Sequence, residues 1–193
     1  MKSLIINDLK KTYNQNIIFE KINLTLNSNI VYFLTDENGK GKTTFLKCLI
    51  KEIKYEGSII DNNYKFIFMP ERPLLAENIT VITFIKLFLL YEGVEFNDNL
   101  INHYLMEFAI LRFKDSLIRT LSRGTKQKVM IIKTLLVDSD VYLFDEPLTS
   151  LDSKSRKKFM EMINDLSKKD KIIVIATHYY DDYDFKNKER INL

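Results

Sequence analysis

The chain has 193 residues, 46% of them apolar and 28% charged, and a net charge of only +3. That balance fits a folded globular protein of one domain with a sizeable core, and the basic excess is too small to argue for a nucleic-acid partner. A single cysteine, Cys48, excludes an internal disulfide and suits a reducing cytoplasm.

Residues 2–6 and 21–27 alternate apolar and polar side chains, as half-buried strands do, with Ile22, Leu24 and Leu26 on one face. Lys2 and the mixed run after it do not read as a signal peptide. Residues 30–34 are continuously apolar, the mark of a strand buried on both faces. Directly after it stands Thr-Asp-Glu-Asn-Gly-Lys-Gly-Lys-Thr-Thr, residues 35–44. This follows the phosphate-loop pattern G-x-x-x-x-G-K-[ST], with Gly41, Lys42 and Thr43 in place and Asp36 where the first glycine belongs. Turned-in backbone N–H groups make a nest for anionic oxygens, and the helix that follows adds the positive end of its dipole. Candidate nucleotide contacts are therefore Asp36, Asn38, Gly39, Lys40, Gly41, Lys42, Thr43 and Thr44. Lys42 would reach the β- and γ-phosphates, and the Thr43 hydroxyl would hold Mg²⁺. A plain turn at Asn38-Gly39 is the competing reading, but it leaves Gly41-Lys42-Thr43-Thr44 without a purpose. Leu46, Leu49, Ile50 and Ile53 then fall on one helical face, with Cys48 beside them as a small core residue.

Residues 56–60 and 65–69 read as strands, separated by the turn-like Asp61-Asn62-Asn63. Thr80 caps a helix running to about Tyr91. A second helix is expected over 98–111, with Leu100, Tyr104 and Phe108 on one face. The apolar stretch 79–94 is too short and too polar to span a bilayer. Within it, residues 84–88 suit either a coupling surface or the helix's own core. Leu121-Ser122-Arg123-Gly124-Thr125-Lys126-Gln127 opens a helix near 125–137, with Val129, Ile132 and Leu136 on one face. Residues 141–144 form another buried strand and end in Asp145-Glu146-Pro147. Carboxylates at the carboxyl end of a parallel strand sit where such sheets bind ligands. Asp145 would orient the water around Mg²⁺ and Glu146 would polarise an attacking water, although adjacent carboxylates also begin many solvated loops. A helix over 153–167, a strand over 171–176, His178 and a last strand at 191–193 complete the chain. Alternating strands and helices imply a parallel sheet.

The order of these segments resembles the ATP-binding subunit of ABC transporters. The pieces are a Walker A loop at 36–43, a Q-loop-like Met69-Pro70-Glu71, a signature at 121–125, a Walker B strand at 141–146, a D-loop at 149–152 and a switch His178. Three of the five glycines, Gly39, Gly41 and Gly124, lie in them. The resemblance runs from about Tyr13 to the end. It implies an α/β P-loop NTPase with a mainly parallel central sheet, an N-terminal antiparallel β-subdomain and an inserted helical lobe at about 73–135, all in one ATPase domain over 1–193.

The same resemblance implies function. Two ATP molecules with Mg²⁺ would be held between two such domains, head to tail, the partner being an identical or a different ATP-binding subunit. Tyr13 would stack on adenine, while Ser122 and Gly124 would meet the γ-phosphate of the partner's nucleotide. Thr43, Asp145 and Glu71, which replaces the usual Gln, would serve the metal. Glu146 would be the general base, His178 would contact the γ-phosphate, and Asp152 would lie in the loop that crosses the dimer. ATP hydrolysis would drive substrate through a separate integral membrane subunit, with the chain peripheral on the cytoplasmic face of the cell membrane. Arg123, at the signature's first glycine position, leans toward export. The alternatives are a soluble ABC ATPase outside transport, or a nucleotide-dependent switch with little catalysis. Asp36 places a carboxylate where the family has glycine, and a negative charge beside polyphosphate opposes binding. Asp36→Gly is therefore expected to tighten Mg·ATP binding in a calorimetric titration; an unchanged or weaker affinity would show that the charge is not felt.

Overall fold

The computed structural model describes residues 1–35, 40–72 and 75–193. The chain divides into two compact units. One comprises Met1–Pro70, Ser139–Glu146 and Ile163–Leu193; the other comprises Glu71–Asp138 and Pro147–Met162.

In the first unit, β1 (Ser3–Tyr13) pairs antiparallel with β2 (Asn16–Asn27) on one side and with β4 (Glu56–Ile60) on the other. Both strands of the hairpin run well beyond the predicted segments. Register shifts at Leu9, Lys11 and Thr12 break the simple alternation, so the sequence pattern fades while the pairing continues. The hairpin closes on Asn14-Gln15, both with positive φ (44° and 69°), as a two-residue turn of right-handed twist requires.

The second sheet of this unit is wholly parallel. Its strands are β3 (Val31–Leu34), β5 (Phe66–Met69), β6 (Val141–Asp145), β7 (Ile172–Ala176) and β8 (Lys188–Ile191), in the order β5-β6-β7-β3-β8. β3, β6 and β7 are buried at every position, in keeping with their continuous apolar runs. The final strand ends at Ile191 rather than beginning there. Its Lys188-Glu189-Arg190 is charged because β8 is the sheet edge, where charge discourages further pairing.

α1 (Lys42–Leu49) packs on β6 and β7. Phe45, Leu46, Cys48 and Leu49 enter one cluster with Leu4, Ile6, Leu26, Leu143 and Val174. Burial pushes the Cys48 thiol up to about 11, so it is an inert core group. The helix is shorter than the apolar period suggests. Lys51 turns left-handed (φ 57°), and Ile50 and Ile53 pack on the cluster from beyond the helix end.

The second unit is helical, and in the chain its helices α2–α4 fall between β5 and β6. α2 (Val81–Tyr91) is capped by Thr80, whose hydroxyl accepts from Thr83 N–H. Its inner face is Val81, Ile85 and Leu89, while Leu87, Leu90 and Tyr91 are exposed. Of residues 84–88, Ile85 is therefore core and Leu87 is surface. The Lys133 ammonium lies 3.5 Å from the centre of the Phe88 ring. α4 (Arg123–Leu135) buries residues almost all round, from Val129 to Leu135. α5 (Ser153–Ser167) has its predicted bounds. Among the described residues, no helix is long and apolar enough to cross a membrane.

α3 (Asp98–Glu107) corrects two expectations. It stops before Ala109, whose φ of 56° is left-handed, instead of reaching Leu111. Its buried face is Ile101, Leu105 and Phe108, whereas Leu100 is 45% exposed. Phe108 fits either phase, and Leu100 drew the reading one residue out. Ile101→Ala is expected to cost about 2–4 kcal/mol in urea unfolding and Leu100→Ala no more than about 0.5; equal losses would restore the original face.

Candidate functional site

Parallel register brings three strand ends into one row. Leu34 pairs with Ala176, and Ala176 with Asp145. The ladder runs one step further, because Thr177 N–H donates to the Leu34 carbonyl (3.0 Å) and Glu146 N–H to the Ala176 carbonyl (2.9 Å). The chain segments that leave β3, β6 and β7 therefore start side by side at the carboxyl edge.

Gly41 caps α1 at φ 93°, a conformation that a side chain would strain, and a Cβ there would stand 2.5 Å from Ile18 Cγ2. The β2 strand thus lies directly against the start of α1. Lys42, the first helical residue, is buried. The Thr43 hydroxyl donates to Asp145 Oδ2 at 2.6 Å. The Lys42 ammonium lies 3.4 Å from His178 Nδ1, and His178 Nε2 lies 3.2 Å from Glu146 Oε1. Asp145 and Glu146 are only 2% and 7% exposed. Glu146 holds left-handed backbone (φ 48°), a strained state for a residue with a side chain and one that collects at functional sites. It turns the chain sharply as β6 ends. The structure thus assembles five predicted residues, Lys42, Thr43, Asp145, Glu146 and His178, that are separated by as many as 136 positions in sequence.

These groups suit Mg²⁺. A hydroxyl and a carboxylate in direct contact are hard oxygen donors, and Mg²⁺ takes one or two such ligands while keeping waters and substrate phosphates. The first turn of α1, at the positive end of the helix dipole, suits the phosphates themselves.

Tyr13 ends β1 at the hairpin tip, 44% exposed, opposite Asn16. Lys40 is exposed and Thr44 half-buried. Asp36, Asn38 and Gly39 lie outside the described residues. Glu71 belongs to the second unit, where it is exposed and lines a cavity with Arg72, Leu75, Glu77, Arg123 and Lys126.

The signature residues occupy the start of α4. Ser122 is its N-cap, accepting from Thr125 N–H, and both Ser122 and Arg123 are exposed. Gly124 is required by packing: a Cβ there would meet the Ser150 carbonyl oxygen at 2.6 Å. Two further side chains, which sequence reasoning did not single out, tie α4 to the same loop. Gln127 Nε2 donates to the Pro147 carbonyl (3.1 Å), and Lys128 Nζ bonds Asp152 Oδ2 (2.6 Å). Asp152 in turn accepts from Ser155 N–H at the start of α5. Its carboxylate is thus engaged within its own subunit. Gln127 and Lys128 sit in a polar run next to the signature; nothing in the sequence says which way that run faces.

The family model for ABC transporters matches residues 19–149. A cytochrome c biogenesis ATP-binding export protein of Reclinomonas americana is 29% identical over 92% of this chain and 86% of its own length. An arginine/ornithine transport ATP-binding protein of Pseudomonas aeruginosa is 25% identical over 92% of this chain and 82% of its own. Among solved structures, the ATP-binding subunit of an ABC transporter superposes with a TM-score of 0.82 at 27% identity, covering 91% of this chain and 79% of that one. A Pyrococcus furiosus chain described as a candidate ABC transporter ATP-binding protein superposes at 0.83 with 30% identity, covering 97% and 96%.

The Lys128 ammonium, with Ser155 N–H behind it, holds the Asp152 carboxyl at about 2, below its ordinary 3.8. A carboxyl lowered on folding adds stability above its ordinary range and loses it as the pH falls toward the lowered value. Lys128→Met is expected to raise the Asp152 value part of the way back in a carboxyl-carbon NMR titration, since Ser155 remains. An unmoved value would show that the ion pair is not formed in solution.

Proposed function

Since the chain belongs to the ABC transporter family as an ATP-binding subunit, a family that binds ATP with Mg²⁺ and hydrolyses it to drive transport, we propose how its own residues divide that work. The supporting observation is the connected set Lys42–His178–Glu146 beside Thr43–Asp145 at the carboxyl edge of the parallel sheet, in which Lys42, Asp145 and Glu146 are buried while Thr43 and His178 are exposed.

Residues 36–44, the last three of which form the start of α1, bind the phosphates, with the Lys42 ammonium on the β- and γ-groups. Thr43 and Asp145 hold Mg²⁺, with Glu71 contributing directly or through a water. When bound, the ion neutralises charge on the phosphate oxygens. Tyr13 stacks on adenine. Glu146 accepts the proton of the attacking water as its oxygen bonds to the γ-phosphorus. The bond from that phosphorus to the bridging oxygen breaks, and ADP leaves with the electron pair. His178 orients the Glu146 carboxylate through the 3.2 Å contact and faces the γ-phosphate with its ring. Orientation and electrostatics carry most of the rate in such transfers.

In our reading the whole chain, 1–193, is one ATPase domain with a helical lobe over about 73–135. Ser122 and Gly124 complete the nucleotide site of a second ATP-binding subunit, so γ-phosphate closes the dimer and its loss opens it. Force passes to a separate integral membrane subunit, which places the chain on the inner face of the membrane. Export is the direction favoured by Arg123 and by the likeness to a protein named for export.

Glu146→Gln keeps the shape and removes the proton acceptor. It is expected to lower Mg·ATP turnover by about 100-fold or more while the nucleotide Kd stays within about threefold of the parent. Turnover that survives the change, measured with the membrane partner if the isolated chain is slow, would remove Glu146 as the base.

A further inference from the structure

Lys11 is a charged residue that the site as described does not use, yet it is only 9% exposed. It lies on β1 two residues before Tyr13. Its ammonium sits 4.2 Å from the centre of the Tyr13 ring and donates to the Lys54 carbonyl at 2.7 Å. Burying an ammonium is costly unless it is held by acceptors, and here one carbonyl and one aromatic face supply that hold. The neighbouring Lys10 has a different partner, Glu56, at 3.7 Å, so the two lysines are not equivalent. Lys54 belongs to the segment just beyond α1. The Lys11 side chain therefore joins the tip of the β1–β2 hairpin to the stretch of chain that follows the phosphate-binding helix.

Tyr13 as a residue remains 44% exposed while the Lys11 cation backs its ring. A tyrosine at a hairpin tip would otherwise sample several rotamers, and ordering it on binding would reduce affinity. The cation fixes the ring beforehand and draws π-electron density toward itself, which favours stacking of an electron-rich purine on the opposite face.

From this geometry we infer that Lys11 is a positioning residue for the nucleotide base: it pre-orders and polarises Tyr13 for purine stacking and contributes nothing to the phosphates. The inference rests on the proposed stacking role of Tyr13. It separates the contribution of the base from that of the polyphosphate, and this separation can be measured.

The test compares Kd values for Mg·ATP and for Mg²⁺ with inorganic tripolyphosphate, which lacks the base. The parent chain, Tyr13→Ala, Lys11→Met and Lys11→Arg are titrated under the same conditions. Lys11→Met is expected to weaken ATP by about three- to tenfold and leave tripolyphosphate unchanged, while Lys11→Arg, which keeps a cation over the ring, stays near the parent. If Lys11→Met does not fold, Lys11→Gln takes its place, keeping a donor for the Lys54 carbonyl without the charge. Weakening of ATP by Tyr13→Ala but not by the Lys11 variant overturns the role of Lys11 alone. Equal weakening of ATP and tripolyphosphate also overturns it, by showing a general disturbance of the site. An unchanged ATP affinity in Tyr13→Ala overturns the stacking reading and this inference together.

Discussion

The hydrogen bond from Thr43 to Asp145 ties α1 to the strand that carries the two site carboxylates. It depends on backbone order set elsewhere. α1 must start at Lys42, which requires Gly41 in a left-handed conformation against Ile18. β6 must lie one strand from β3, with β7 between them, which the parallel register provides. Given those two conditions, Thr43, Asp145, Glu146 and His178 converge from three separate stretches of chain with little freedom to do otherwise. β3, β6 and β7 are buried at every position, so they cannot slip without exposing a continuous hydrophobic strand.

The second unit repeats this economy around a different anchor. The start of α4 is fixed to the 147–152 loop by three unlike contacts. Gly124 allows close approach of the Ser150 carbonyl, Gln127 takes up the Pro147 carbonyl, and Lys128 binds Asp152. Ser150 holds a left-handed backbone as well, with φ 64°. A glycine at 124 is thus explained without reference to any ligand: backbone packing alone excludes a side chain. What the ligand reading adds concerns Ser122 and the exposed helix N-terminus, which remain accessible while the residues behind them are locked. A rigid support behind an open edge is the arrangement that precise anion recognition calls for.

Most of this architecture was legible in the sequence because it rests on strong, local signals. Apolar runs of four or five residues gave β3, β6 and β7, and the phosphate-loop pattern marked the join between β3 and α1. Thr80 announced α2 through its capping hydroxyl. The failures share a physical cause. The ends of α1 and α3 are set by left-handed residues, Lys51 and Ala109, which carry no compositional mark since neither is glycine. The phase of α3 was misread because Leu100 is apolar yet exposed, and single exposed leucines are ordinary on protein surfaces. At the site, the residues with a motif were found and those without one were not. Lys11 and Lys128 are lysines among 29 basic residues, and only the fold shows that one is buried beneath an aromatic ring while the other reaches a loop 24 positions away.

Asp145 and Glu146 are adjacent, both buried, and so in principle interchangeable; their surroundings make them different. Asp145 is in register at the end of β6, pointing where the Thr43 hydroxyl can donate to it. A carboxylate paired with a hydroxyl is a set of hard oxygen donors that suits a cation. Glu146 is one residue past the ladder, turned by its left-handed backbone toward an imidazole rather than a hydroxyl. Two like charges in so little space would repel if both faced the same ligand. Separating them by a sharp turn gives the two side chains different neighbours, which is the basis of the different roles proposed for them.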